Sequence, residues 1–259
     1  MGLSFRNILI PVDFTVNTTY AVKNALVLAD ASHPVIHLFH VTSSPTASRA
    51  SLLQIKENIR QQYPDLQVDI HISSHGSIQS RIIEIAAILK PDLIIIGKHN
   101  GNNWLTFLNT TNSSLIARET NCAVLNIRSG TVLDKIRSVV MPLRFFEPVR
   151  KMELLPALTR KQKPIIHLVT VENKHVKSAN ARVFVNTYRN LSRNMRYPVN
   201  HKQITGNNYA KKIMKYAIDV KADIVMVNPF DETAISSFWG KQISDTRLNV
   251  LTVAPSTMK

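Results

Sequence analysis

The sequence predicts an α/β protein built from two tandem, doubly wound units, each with a five-stranded parallel sheet. Two observations predict it. Short apolar runs of strand length alternate with amphipathic stretches of helical period, and the whole pattern recurs at a nearly constant offset. Alternating strands and helices imply right-handed crossovers between parallel strands. Self-similarity at a fixed period marks a duplicated unit.

The repeat can be followed block by block. Ile8-Leu9-Ile10-Pro11-Val12-Asp13-Phe14 returns as Val139-Val140-Met141-Pro142-Leu143-Arg144-Phe145. Pro34-Val35-Ile36-His37-Leu38-Phe39-His40-Val41 returns as Pro164-Ile165-Ile166-His167-Leu168-Val169-Thr170-Val171. Gly76-Ser77 returns as Gly206-Asn207, and Pro91-Asp92-Leu93-Ile94-Ile95-Ile96 as Ala222-Asp223-Ile224-Val225-Met226-Val227. Ala123-Val124-Leu125-Asn126-Ile127 returns as Val250-Leu251-Thr252-Val253, at a shorter offset, so the second copy is cut down near its end. The copies span 1–130 and 131–259, joined by a short polar link around Gly130.

Within each copy the order reads β-α-β-α-β-α-β-α-β. The strands are rich in Ile, Val and Leu without clean alternation, which suits strands covered on both faces. Ala21, Ala25, Leu28 and Ala29 share one helical face, as do Ile78, Ile82, Ile83, Ile85 and Ala86 with small offsets. Gly76-Ser77 offers a turn and an N-cap to the latter helix. Tyr209, Ile213, Met214 and Ala217 take the same part in the second copy.

Composition narrows the class. The longest apolar runs, such as Leu93-Ile94-Ile95-Ile96, fall far short of the roughly 18 residues of a membrane span. The start, Met1-Gly2-Leu3-Ser4-Phe5-Arg6, shows no apolar signal core. The single cysteine, Cys122, rules out an intrachain disulfide. A soluble cytoplasmic protein is the expectation. The net charge of +15 is distributed unevenly: residues 1–130 hold 10 Lys and Arg against 8 Asp and Glu, residues 131–259 hold 22 against 9. A basic second half reads either as a solvated face or as a surface for nucleic acid, anionic lipid or an acidic protein. Arg189, Arg193 and Arg196 stand at helical spacing between Tyr188 and Tyr197, a pattern that could track phosphates or simply face solvent.

Open α/β sheets bind ligands beyond the carboxyl ends of their strands, where the strand order reverses. In the first copy those ends are Val12-Asp13, Val41-Thr42 and Gly97 onward. The stretch from Gly97 to Thr111 is polar and enters a helix through Asn112-Ser113-Ser114. A polar loop feeding a helix N-terminus is either an anion site or a capped, solvent-facing loop. Asp13 is equally open to a ligand role and to capping the helix that follows it.

The chain resembles a tandem universal stress protein of two UspA-like domains. The residues that carry the resemblance are Ile8-Leu9-Ile10-Pro11-Val12-Asp13, His40-Val41, Pro91-Asp92-Leu93-Ile94-Ile95-Ile96-Gly97-Lys98-His99 and Asn121-Cys122-Ala123-Val124-Leu125. It is specific in the first copy and weaker in the second. The resemblance implies the adenine nucleotide alpha hydrolase-like sheet order 3-2-1-4-5. It also implies dimerisation through the last strand, here an intramolecular pseudo-dimer that could pair again as a homodimer. One branch of the family binds ATP through a G-x-x-G-x9-G-[ST] pattern. Carried onto this chain, the nucleotide-binding candidates are Pro11, Asp13, Val41, Gly97, Asn100, Asn103, Thr110 and Thr111. Asp13 and Val41 stand where the family contacts base and ribose. Asn100, Asn103 and Thr110 replace the pattern's glycines, with Gly101 one residue out of register.

Those glycines let a backbone approach phosphates and adopt positive φ. Asn tolerates the left-handed region but fills space, and Thr110 adds β-branched bulk. The expectation is therefore no required cofactor, with ATP or AMP bound weakly in the first copy or not at all. The second copy departs further. Arg144 reverses the charge of Asp13, Asn228-Pro229 replaces Gly97-Lys98, and Phe230-Asp231-Glu232-Thr233 is a shortened loop whose carboxylates repel phosphate. Gly240-Lys241 is a remnant of the Gly-Ser step.

Other constellations point nowhere stronger. His37 and His40, three apart on a strand, face opposite ways, and no cluster has the three or four converging ligands of a zinc site. Cys122 reads as a structural thiol. No G-x-S-x-G elbow, Walker A or Rossmann glycine motif is present. The expected protein is a non-catalytic stress-response protein with a degenerate nucleotide site. A basic scaffold for an acidic protein or nucleic acid, and a true ATP binder, are the alternatives.

Overall fold

The structure is a computed structural model. It describes residues 4–29, 33–74, 76–98, 112–144, 146–160, 162–172, 177–205, 209–228 and 248–254. The chain divides into two units, Ser4–Asp134 and a second beginning at Lys135. The division falls a little beyond the 130/131 boundary that the repeat suggests, and the reason is local. The side chain of Asn24 donates to the Thr131 carbonyl (2.8 Å) and accepts from the Leu133 N–H (2.8 Å), so the link is stitched to the first unit's first helix.

The first unit runs β1 (Asn7–Pro11), α1 (Val16–Leu28), β2 (Val35–Val41), α2 (Pro45–Gln62), β3 (Gln67–Ser73), α3 (Ile78–Leu89), β4 (Leu93–Lys98), α4 (Ser113–Thr120) and β5 (Ala123–Arg128). Its strands pair in parallel in the order β3-β2-β1-β4-β5. The second unit runs β6 (Ser138–Leu143), α5 (Val149–Thr159), β7 (Ile165–Glu172), α6 (Lys177–Arg189), a π-helical turn (Asn190–Asn194), β8 (Val199–Thr205), α7 (Tyr209–Asp219), β9 (Ile224–Val227) and β10 (Asn249–Thr252). Its order, β8-β7-β6-β9-β10, is again 3-2-1-4-5, and every pairing in it is parallel.

Burial explains the strand sequences. Every residue of β4, β6, β9 and β10 is buried, whereas the edge strand β3 is mostly half-buried and the edge strand β8 largely open to solvent. Strands covered on both faces have no polar side to alternate with. The two cores correspond position by position. Leu9, Phe39, Ile83, Ala86, Ile94 and Ile96 pack together in the first unit, and Val140, Val169, Met214, Ala217, Val225 and Val227 do so in the second.

Caps also repeat. Ser77 accepts from the Ser80 N–H and begins α3 after Gly76, whose φ of 101° needs a residue without Cβ. Lys90, which caps α3, and Lys221, two residues past the end of α7, both take the left-handed region, at φ 49° and 50°. At the start of β1, the Asp92 carboxylate accepts from the backbone N–H groups of Arg6 and Asn7, both at 2.9 Å. Asp223 accepts likewise from Arg137 (2.7 Å) and Ser138 (3.0 Å) at the start of β6. These carboxylates set the first strand against the fourth in each unit.

Candidate functional site

In the first unit the strand order reverses between β1 and β4, which pair through Ile8–Leu93 and Leu9–Ile94. The crevice beyond their carboxyl ends is where this architecture places a ligand. β1 ends at Pro11, which is buried. The Val12 N–H donates to the Phe39 carbonyl at 2.7 Å, and His40 Nδ1 donates to the Val12 carbonyl at 2.7 Å. That bond requires the proton on Nδ1. Phe14 then takes a left-handed φ of 58° and lays its ring 4.5 Å from that of His40.

The turn places Asp13 at the centre of a small network. Its Oδ1 accepts from the Thr15 N–H (3.0 Å), the Thr15 hydroxyl (2.6 Å) and the Thr18 hydroxyl (2.8 Å). Thr15 itself caps α1, accepting from the Asn17 N–H. Asp13 therefore supports the cap and does not supply it. Its other oxygen, Oδ2, is buried and has no hydrogen-bond partner among the described residues, and the same holds for Asn17 Oδ1. Buried polar atoms without partners are uncommon and call for an explanation. Val41 closes β2 half-buried, its strand continuing through a Thr42 N–H to Ser73 carbonyl bond.

Gly97 has a role that owes nothing to a ligand. A Cβ added there would lie 2.2 Å from the Asn17 carbonyl oxygen and 2.6 Å from its carbon. The first turn of α1 packs directly on β4, and only glycine allows the approach.

On the α4 side, Asn112 caps the helix by accepting from the Ser114 and Leu115 N–H groups. Ser113 donates to Asn126 Oδ1 at 2.9 Å, leaving Asn126 Nδ2 and the Ser114 hydroxyl buried and unpartnered among the described residues. Lys98 is buried at the end of β4, and the loss of water there pushes its amine down to about 8. Asn17, Lys98 and Asn126 are neighbours of the candidate site that the list of nucleotide-binding candidates leaves out. The signal available for two of them was a polar residue in an otherwise apolar strand, in Ile94-Ile95-Ile96-Gly97-Lys98 and Val124-Leu125-Asn126-Ile127. Asn100, Asn103, Thr110 and Thr111 lie outside the described residues, as do Phe230-Asp231-Glu232-Thr233 and Gly240-Lys241.

A groove of about 470 Å³ lies between α1 and α2, beside the Asp13 turn. Thr15 and Thr18, the partners of Asp13, line it together with Phe14, Val22, Ile55 and Ile59.

The second unit's crevice is built differently. Arg144 replaces Asp13 and lies over the Tyr209 ring, 5.3 Å from its centroid. Lys151 is almost fully buried and donates to the Pro142 carbonyl at 2.8 Å. Asn228 stands where Gly97 stands in the first unit and donates to the Ala254 carbonyl at 3.2 Å. The N-cap of α5 is Pro148, which makes no side-chain cap bond.

The histidines are brought together more than their spacing suggests. His37 Nδ1 lies 3.0 Å from His71 Nε2 and 3.7 Å from Asp69 Oδ2. Burial lowers the pKa of both rings. Among the described residues no group of three or more histidine, cysteine or acidic side chains could hold a metal. Cys122 is buried, its thiol donating to the Pro91 carbonyl at 3.1 Å. No helix among the described residues is long and apolar enough to cross a membrane.

Fold and crevice together define a doubly wound α/β protein of the adenine nucleotide alpha hydrolase-like type, present twice. Residues 4–128 match the universal stress protein family. The first unit is therefore a domain of that family, and the second unit repeats the same strand order. Among solved structures, a universal stress protein from Archaeoglobus fulgidus DSM 4304 is similar at TM-score 0.70 and 12% identity, covering 98% of each chain. A functionally unknown protein from Pseudomonas aeruginosa PAO1 is similar at TM-score 0.67 and 14% identity, covering 97% of this chain and 93% of its own. The cytoplasmic domain of a prokaryotic cation chloride cotransporter is similar at TM-score 0.54 and 11% identity, covering 98% of this chain and 97% of its own. At such identities these likenesses speak for the fold alone. No curated protein matches the chain significantly.

Proposed function

We propose that this is a non-catalytic, cytoplasmic stress-response protein whose first unit keeps a degenerate adenine-nucleotide crevice. The observation that carries the proposal is the Asp13 carboxylate at the switch point, with Oδ1 tied into the α1 turn and Oδ2 buried without a partner among the described residues. A donor arriving there, such as an adenine amine or a ribose hydroxyl, would satisfy the oxygen and offset the cost of leaving it unpaired. Asn17 Oδ1 beside it adds a second acceptor. The triphosphate end is the degenerate part: Asn100, Asn103 and Thr110 put side chains where the family's pattern has glycine. The second unit offers no equivalent carboxylate, since Arg144 occupies the position and Lys151 is turned inward onto Pro142. It acts as a structural partner in this reading. No cofactor is required.

Isothermal calorimetry with AMP and ATP tests this reading. The expected result is AMP binding that is weak, ATP no tighter than AMP, and loss of both in Asp13→Ala. Micromolar or tighter ATP binding would overturn the degenerate reading in favour of a true ATP binder.

A further inference from the structure

The second unit carries a surface of quite different character. From residue 173 to residue 218 the chain contains no Asp or Glu. That stretch forms α6, the π-turn, β8 and α7. Arg182, Arg189, Arg193 and Lys202 on it are exposed. Among the described residues none of the four makes an ion pair or has another charged partner. The carboxylate that does reach α6, Glu147, is held by the Asn186 amide at 2.7 Å and not by an arginine. A face of unpaired like charge destabilises a fold through self-repulsion and attracts polyanions from solution.

Aromatic rings are set into this face. Tyr188 is 40% exposed, next to Arg189. Its ring centroid lies 5.9 Å from that of Phe184, and Phe184 lies 4.4 Å from His201 on the edge strand β8. His201 is itself anchored by the Thr170 hydroxyl at 2.7 Å. Phe184 thus props Tyr188 from beneath and leaves it open to solvent. Arg182 and Arg189 are two helical turns apart, about 10 Å along one face of α6. The π-turn then replaces the regular helix that the arginine spacing suggests. Arg193 lies within the turn, and Arg196 lies past it at φ 59°. Tyr197, the other flanking tyrosine, is buried, with its hydroxyl bonded to that of Thr159, and is no part of the surface.

We propose that α6, the π-turn and β8 form a binding surface for single-stranded nucleic acid. Arg182, Arg189 and Arg193 contact phosphates, and Tyr188 stacks on an unpaired base. An acidic protein would be served by the arginines alone. The propped, exposed ring beside them is what selects unpaired bases.

The test is fluorescence anisotropy of the full chain with labelled single-stranded RNA and DNA of mixed sequence, titrated with salt. Arms with the matching duplex, a poly-glutamate peptide and anionic phospholipid vesicles run beside them. Three phosphate contacts predict a log–log salt slope of about −2 for a single strand. The double variant R189Q/R193Q should reduce the slope to about −0.7 and weaken binding about tenfold. Tyr188→Ala should weaken binding about tenfold with the slope unchanged, and Tyr188→Phe should restore it. All of these residues are exposed, and circular dichroism controls for folding. Absence of binding at low salt overturns the proposal. So does binding to the duplex, the peptide or the vesicles as tight as to the single strand, or indifference of single-strand affinity to Tyr188→Ala.

Discussion

The backbone carbonyl of Asn17 and the Cα of Gly97 pack so closely that a methyl group on Gly97 would lie 2.2 Å from the Asn17 oxygen. α1 can rest on β4 only because this strand position has no side chain. The glycine that a motif comparison assigns to a nucleotide loop is therefore already required by the packing of the fold.

Gly97→Ala should destabilise the first unit whether or not any nucleotide binds. Neither partner is a flexible side-chain end, so the helix or the strand must shift, at a cost of about 2–3 kcal/mol. Urea unfolding with wild type and variant side by side checks this. An unchanged midpoint would show that α1 stands further from β4 than described.

Asp13→Ala removes the acceptor of three hydrogen bonds that hold the α1 turn. The expected loss is about 1–2 kcal/mol, in the range of a lost helix cap. Asp13→Asn keeps an acceptor at Oδ1 and should cost less. If both variants melt at the wild-type temperature, the turn does not depend on this carboxylate.

Lys98 gives a pH dependence of known sign. Its amine sits at about 8 in the fold against 10.5 when free, because burial disfavours the charged form. Between those values the unfolded chain binds the extra proton, so stability rises with pH across that window. Lys98→Met matches the volume without the charge and should lose this rise. Urea midpoints at the two ends of the window, for both proteins, provide the comparison.

At lower pH the histidines act. Burial lowers the pKa of His37, His71, His167 and His201 from the free value of 6.5. A lowered histidine contributes its stability in full above the unfolded value and loses it as the pH falls through the folded one. Melting temperature should thus decline as the solution is acidified below about 6.5. His37 and His71, 3.0 Å apart, cannot both be charged without repulsion. The variant His71→Gln should flatten part of the decline, and an identical profile in the variant would assign the acid sensitivity elsewhere.

The duplicated clamps make a paired prediction. Asp92→Ala and Asp223→Ala each remove an acceptor for two strand-start N–H groups. Each should cost about 1 kcal/mol, and similar losses are expected because the geometry is the same in the two units. A cost confined to one unit would show that only one clamp bears on stability.

Much of this was legible in the residues. The strand runs, the alternation with helices and the recurrence of Pro91-Asp92 as Ala222-Asp223 foretell two parallel sheets, because apolar runs and crossovers are local and periodic signals. The Ser77 cap and the faces of α1 and α3 follow from the same kind of pattern. The regular helix suggested by Arg189, Arg193 and Arg196 did not survive, since spacing alone cannot register a π-turn or a left-handed Arg196. The pairing of His37 with His71 and Asp69 was invisible because it depends on the register of β2 against β3.

The fold, its duplication and the divergence of the two crevices are written in apolar periodicity and in replacements such as Asp13 by Arg144. What individual polar atoms do is settled only once the chain is folded: Gly97 makes room for Asn17, Asp13 Oδ2 and Asn126 Nδ2 are left without partners among the described residues, and Tyr188 is propped open while Tyr197 is buried. The difference is one of range. Hydrophobic patterning acts between near neighbours in the chain, whereas hydrogen-bond satisfaction and exposure are set by residues that folding brings together from far apart.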